Sequence, residues 1–238
     1  MKRLILWDVD GTLVWTGQTT RVVFDRAVAS VMGQAVGDHG VSFGGKTDPE
    51  IAREILSSLD LSDVEVRRHV PGVVHALERE MERAVDFLRE HGRVLPGVRE
   101  LLKRFDHRPD VLQSVLTGNT EANARLKVGA FGLDRFLDLE TAAYGSDSSD
   151  RPELVPIALE RLERIRGVRL EPQDVWIVGD TLLDLACARA AGARCLLVAT
   201  GRVSFEELSE AGADAAVRDL GDTRAVERLL LPSATMPR

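Results

Sequence analysis

Apolar positions along this chain follow two rhythms. Leu4-Ile5-Leu6-Trp7 is a continuous apolar run, the pattern of a strand buried on both faces. Residues 18–92 are helical in pattern, with helices predicted over 20–32, 49–59 and 73–90. In the last of these Val74, Leu77, Met81, Val85 and Leu88 recur at near-helical spacing. Pro49 suits a first helical turn with Asp48 as its cap, Gly92 suits a stop, and no strand is expected inside this stretch. After Pro96-Gly97 helices and strands alternate. Helices are predicted over 98–105, 121–128, 153–165, 183–191, 205–210 and 223–230. Strands are predicted over 111–116, 136–141, 175–178, 195–198 and 215–217, and residues 232–238 read as a frayed end.

Alternation of this kind predicts an α/β fold, a Rossmann-like parallel sheet covered by helices on both faces. The helical stretch separates the first strand from the others. It reads as a small α-helical cap domain, 15–92, inserted into a core domain made of 1–14 and 93–238. Such an insert sits above the carboxyl end of the first strand, where ligands bind in open α/β sheets. Its hinges are expected at 14–17 and 92–96.

Composition narrows the function. The chain has 238 residues, 44% hydrophobic and 29% charged, which is ordinary for a globular protein. Its net charge of −7 argues against general nucleic-acid binding, which needs a basic footprint. No apolar run approaches the ~20 residues of a membrane-spanning helix, and the first residues are too short for a signal peptide. Cys187 and Cys195 read as buried thiols and not a disulfide scaffold, so a reducing, cytoplasmic location is the default expectation. The five histidines show no metal-ligand spacing.

Candidate chemistry falls at the carboxyl ends of the predicted strands: Asp8 and Asp10 after the first, Thr117-Gly118-Asn119 after 111–116, Arg151 before its helix, and Gly179-Asp180 with Asp184 after 175–178. Taken singly, each has a bland reading as a turn former, helix cap or solvated arginine. Their order at successive strand ends favours a shared site. Two acids two positions apart can face one site, one attacking while the other moves protons. Asp8, Asp180 and Asp184 would repel one another unless a hard cation such as Mg²⁺ joined them. Thr117 and the Gly118 and Asn119 N–H groups, read as opening a helix, would cradle an anion, and Arg151 would clamp it. Nucleophile, acid/base, metal and anion clamp are the set that phosphoryl transfer needs.

These segments, Asp8-Val9-Asp10-Gly11-Thr12-Leu13, Leu116-Thr117-Gly118-Asn119, Arg151 and Gly179-Asp180-Thr181-Leu182-Leu183-Asp184, resemble the four ordered motifs of the haloacid dehalogenase superfamily. The resemblance spans nearly the whole chain and is nearest to phosphoglycolate-phosphatase-like hydrolases with a C1-type helical cap. It implies that Asp8 is the nucleophile that forms an aspartyl-phosphate and that Asp10 protonates the leaving oxygen and then activates water. It also implies that Thr117 binds the phosphoryl group and that Arg151 neutralises charge. Asp8, the Asp10 carbonyl and Asp180 would hold Mg²⁺, with Asp184 supporting. An aspartate at position 10 favours phosphoester chemistry over dehalogenation. Trp7 departs from a commoner phenylalanine and Arg151 from a commoner lysine, which keeps the charge but alters its geometry.

The expected activity is therefore Mg²⁺-dependent hydrolysis of small phosphate esters by a monomer or homodimer, with phosphoglycolate as the named candidate substrate. A phosphosugar mutase of the same superfamily is the alternative, and a non-catalytic binding protein a third. Lys46, in the glycine loop Phe43-Gly44-Gly45-Lys46, is the residue expected to bind an anionic substrate tail.

Overall fold

The computed structural model describes residues 3–231. In chain order its strands are β1 (Arg3–Trp7), β2 (Val14–Trp15), β3 (Arg93–Val94), β4 (Val111–Thr117), β5 (Ala143–Tyr144), β6 (Val175–Gly179), β7 (Arg194–Val198) and β8 (Ala215–Val217). Its helices are α1 (Thr19–Met32), α2 (Asp48–Ser57), α3 (Asp63–Arg83), α4 (Val85–His91), α5 (Val98–Asp106), α6 (Glu121–Ala130), α7 (Leu154–Arg166), α8 (Leu182–Ala191), α9 (Phe205–Glu210) and α10 (Thr223–Leu230). The expected frayed end at 232–238 lies outside the described residues.

Six strands form one sheet in the order β5-β4-β1-β6-β7-β8, and every pairing in it is parallel. Side chains alternate between two apolar layers, as the two-residue strand period requires. Ile5, Trp7, Trp176, Val178, Leu196 and Val198 join the layer that contains α5 and α10 side chains. Leu4, Leu6, Val175, Ile177, Cys195 and Leu197 join the layer that contains α7 and α8 side chains. Burial on both faces is why these strands read as continuous apolar runs. Strand β1 is central, with β4 on one side and β6 on the other, so the chain reverses direction across the sheet there. That switch point opens a crevice at the strand ends.

Helices α1 to α4 form the inserted cap, with their own apolar core of Val23, Phe24, Ile51, Ile55, Leu77 and Met81 among others. The connections on either side of the cap pair with each other as the antiparallel ribbon β2–β3, which sequence pattern did not reveal. Helix α3 begins ten residues earlier than predicted because Ser62 and Glu65 form a reciprocal capping box, and it runs through Pro71. The predicted helix over 73–90 is interrupted at Ala84, where α4 begins.

Two further expectations are corrected. Thr47, not Asp48, caps α2, its hydroxyl accepting from the Glu50 N–H. No strand spans 136–141. A 3-10 turn occupies Asp134–Phe136, and within 134–144 only Ala143–Tyr144 pairs with β4. The intervening segment meets β4 through a backbone bond from Asp138 N to the Gln113 carbonyl and a bond from Ser114 Oγ to the Asp138 carbonyl, and the Asp138 carboxylate pairs with Arg166.

Gly97 illustrates the local demands of this packing. It has φ +75°, and a side-chain Cβ there would overlap the Leu220 carbonyl. Gly97→Ala should therefore destabilise the protein by about 2–4 kcal/mol, from left-handed strain plus displacement of the 219–221 loop. Urea unfolding measures it, and a loss under about 0.5 kcal/mol would show that the loop yields freely.

Candidate active site

Strand β1 ends at Trp7, and Asp8 stays tied to the sheet through its N–H to the Val178 carbonyl at 2.9 Å. The chain then turns, with the Val9 carbonyl accepting from both Leu13 N and Val14 N. Asp10 is thus in a turn and not in continued extended chain, yet both carboxylates line one cavity of about 420 Å³. That cavity also takes in Thr117, Gly118, Asn119, Arg151 and Asp180 at the strand ends, and Lys46 from the cap. A shallower groove of about 640 Å³ runs past the amino-terminal half of β4 and touches none of these residues.

Asp8, Asp180 and Asp184 are buried, and one carboxylate oxygen from each lies within 4.8 Å of the others. Arg151, presented by the 3-10 turn ahead of α7, joins them. Its Nη2 is 3.1 Å from Asp8 Oδ1 and also bonds Asp184 Oδ1. Its Nη1 donates to the Gly45 carbonyl of the cap at 3.0 Å. Burial opposes the Arg151 charge, but Asp184 and Asp8 outweigh it and its pKa is raised. Burial also raises the Asp8 pKa, with Arg151 pulling it back and Asp184 and Asp10 pushing it further up. Asp180 is raised by burial and by its two carboxylate neighbours.

Both oxygens of Asp184 are engaged. Its Oδ2 accepts from Thr181 N at 3.0 Å and Thr181 Oγ1 at 2.7 Å, capping α8, while Oδ1 holds Arg151. Asp180 Oδ1 has no hydrogen-bond partner although it is buried. An orphaned carboxylate oxygen beside two further carboxylates is a donor set that fits a hard divalent cation. Glycines make the crowding possible, since a Cβ at Gly11 or Gly201 would overlap the Asp180 carboxylate and one at Gly179 would overlap Asp184.

Asp10 has a different cation. Lys127 of α6, buried, donates to Asp10 Oδ2 at 2.7 Å and to Asn119 Oδ1 at 2.6 Å. Asn119 Nδ2 donates to Asp10 Oδ2 at 2.7 Å and to Thr117 Oγ1 at 2.8 Å. Lys127 has no role in the sequence analysis above. The available signal was its position on the same helical face as Ala124 and Val128, where a lysine is unusual unless paired.

The expected anion cradle is rearranged. Helix α6 starts at Glu121 with Thr120 as cap, so Gly118 and Asn119 precede it. Its N-terminus is occupied by the cap's own Asp48, whose Oδ2 accepts from Thr120 N at 2.9 Å and Asn123 Nδ2 at 3.1 Å. A carboxylate there suits the positive end of the helix dipole. The Asp48 N–H also donates to the Gly118 carbonyl at 2.7 Å, docking the cap on the core. Lys46 sits in the docked loop, but its ammonium is held by both oxygens of Glu54, at 2.7 and 2.6 Å. Cys187 and Cys195 are free, buried thiols.

The family described as haloacid dehalogenase-like hydrolase matches residues 5–198. This chain belongs to that family. It is similar to the phosphoglycolate phosphatase of Pseudomonas fluorescens (strain Pf0-1), at 26% identity over 227 residues, covering 92% of this chain and 78% of that protein. A plasmid phosphoglycolate phosphatase of Cupriavidus necator is 27% identical over 238 residues, covering 98% and 95%. Among solved structures, CbbY of Rhodobacter sphaeroides in complex with phosphate superposes with a TM-score of 0.65 at 21% identity, covering 93% of this chain and 96% of that one, a likeness of fold.

The Asp48 latch makes a testable prediction. Burial, resisted by Lys127 and the two hydrogen bonds, pushes its pKa from 3.8 up to about 6. The folded protein therefore holds a proton that the unfolded chain releases, so stability falls as pH rises from about 4 to about 6, by roughly 2–4 kcal/mol. Asp48→Asn keeps an acceptor oxygen for both donors. It should make that slope shallower, leaving the part due to Asp8 and Asp180, and raise the urea midpoint at pH 7.5. An unchanged slope would show that Asp48 is not its source.

Proposed function

We propose that this protein hydrolyses small phosphorylated metabolites, using Mg²⁺, through an aspartyl-phosphate formed on Asp8. It is a phosphatase of the haloacid dehalogenase-like family. The observation that carries the mechanistic reading is that Asp8 and Asp10 share one cavity but hold separate cations, Arg151 and Lys127. Two carboxylates with different partners are suited to different roles.

In this mechanism an Asp8 oxygen attacks phosphorus while the bond to the leaving oxygen breaks, and Asp10 supplies the proton that oxygen needs. Asp10 then takes a proton from water as that water attacks the phosphoryl phosphorus, releasing phosphate and restoring Asp8. Thr117 Oγ1 already accepts from Asn119, so its own proton is free for a phosphoryl oxygen. Gly118 and Asn119 form the wall beside it. Arg151 spreads positive charge over the nucleophile and the transferring group. Asp8, the Asp10 carbonyl and Asp180, with Asp184 held behind them, would bind Mg²⁺, which screens repulsion between carboxylate and phosphate.

The cap sets the substrate. Relatives named phosphoglycolate phosphatase make phosphoglycolate the first ester to assay. Lys46 meets a substrate carboxylate in this reading by giving up Glu54 for it.

Two outcomes test the proposal. Asp8→Asn should lower kcat for p-nitrophenyl phosphate by at least about a thousandfold, roughly 4 kcal/mol, and chelation should abolish wild-type turnover. Activity surviving either change removes the nucleophile or the metal respectively, and stimulation by trace sugar bisphosphate would identify a mutase instead. Secondly, folding raises the Asp8 and Asp180 pKa values, so the metal-free site retains protons and loses stability as pH rises through those values. Mg²⁺ binding at pH 7 should then release protons and tighten with rising pH. Calorimetry in two buffers of different ionisation enthalpy reads that release, and equal heats in both would contradict it.

A further inference from the structure

Lysine is seldom buried, because removing an ammonium from water costs several kcal/mol unless the charge is paired. The Lys127 side chain is 1% exposed and spends two of its three donors on Asp10 Oδ2 and Asn119 Oδ1. Bonding to Lys127 fixes which way the Asn119 amide points. Its oxygen faces Lys127, so its nitrogen must face Asp10 and Thr117, as observed. The two oxygens of Asp10 are consequently unlike. Oδ2 receives both Lys127 and Asn119, which fills its two lone pairs. Oδ1 receives only a long bond, 3.3 Å, from Thr16 Oγ1. Asp10 nevertheless keeps 35% of its side-chain surface accessible beside the cavity.

We propose that Lys127 is a positioning residue that, with Asn119, reserves Asp10 Oδ2 for structural bonds and makes Oδ1 the oxygen through which protons pass in both half-reactions. The inference rests on the reading of Asp10 as acid and base given above. A proton on Oδ2 would face two donors that cannot accept it, whereas Oδ1 has an open lone pair. In the first half-reaction Oδ1–H gives its proton to the leaving oxygen as the P–O bond breaks and the Asp8–phosphorus bond forms. In the second, Oδ1 takes a proton from the attacking water as the Asp8–phosphorus bond breaks. Atoms and charge balance at one oxygen, and the carboxyl group need not rotate between steps. Through Asn119 the same ammonium also keeps the Thr117 hydroxyl proton aimed away from the amide. A single side chain thereby orients two groups of the site without touching substrate.

The test is the dependence of kcat/KM on the leaving group, measured on the full-length protein with Mg²⁺. A nitrophenolate departs with little protonation, whereas an alkoxide needs the acid. Lys127→Met should lower kcat/KM for propyl phosphate at least about tenfold more than for p-nitrophenyl phosphate, within the range attributed to general acid catalysis. Asp10→Asn should show the same imbalance, larger. Lys127→Gln, which keeps a donor but not the charge or full reach, should fall between wild type and Lys127→Met, and it carries the test if the methionine variant does not fold. A purely structural lysine would depress both esters equally. If Asp10→Asn is imbalanced and the Lys127 variants are not, the role of Lys127 is overturned while the mechanism stands. If Asp10→Asn itself lowers both esters equally, the reading of Asp10 as the acid fails.

Discussion

Three carboxylates gathered around one guanidinium are the constraint on which the rest of this molecule depends. Asp8, Asp180 and Asp184 are buried where their charges oppose one another, and Arg151 bonds two of them. Such a cluster is expensive to assemble and collapses or takes up protons if its parts can relax. Here they cannot relax. Asp8 is anchored to β6 by its backbone, Asp184 is locked into the cap of α8, and Arg151 is buried at the start of α7 with its guanidinium bonded to the cap as well. The two apolar layers on either side of the sheet supply the rigidity that keeps like charges at close range.

The second carboxylate of the first motif is governed separately. Asp10 leaves the sheet, enters a turn and comes under Lys127, outside the Arg151 cluster. In the proposed mechanism, the division lets one short segment supply groups with opposite requirements, a nucleophile that must stay ionised and a partner that must exchange a proton. The cap reinforces both halves, with the Gly45 carbonyl on Arg151 and Asp48 on the start of α6.

The fold was legible from the sequence because the buried strands have little freedom in composition. Leu4-Ile5-Leu6-Trp7 and Val175-Trp176-Ile177-Val178 announce two-faced burial, and the residues that follow them announce the site. What escaped depended on distant packing. Lys127 is ten residues beyond Thr117 and reaches Asp10 only because α6 packs as it does. Asp48 looked like a local cap beside Pro49, yet its carboxylate serves a different helix, one that the sequence had assigned to phosphate. The ribbon β2–β3 is two residues on each side, too short for any alternation to declare itself. The segment 136–141 misled because its apolar residues pack against the core without joining the ladder.

The seam between cap and core has a consequence for how such a protein diversifies. A side chain at Gly118 would overlap the Lys46 carbonyl, and one at Gly145 would overlap the Gly118 carbonyl. Main chain from three stretches, two of them at glycines, is therefore stacked at the point of docking. Bare backbone offers mutation almost nothing to adjust, since any added carbon there pries the layers apart. Innovation in substrate choice is displaced to the walls that do carry side chains, such as Trp15, Arg21, Phe43 and Leu183. The catalytic floor and the docking seam can stay unchanged while the lining of the chamber is rewritten one residue at a time.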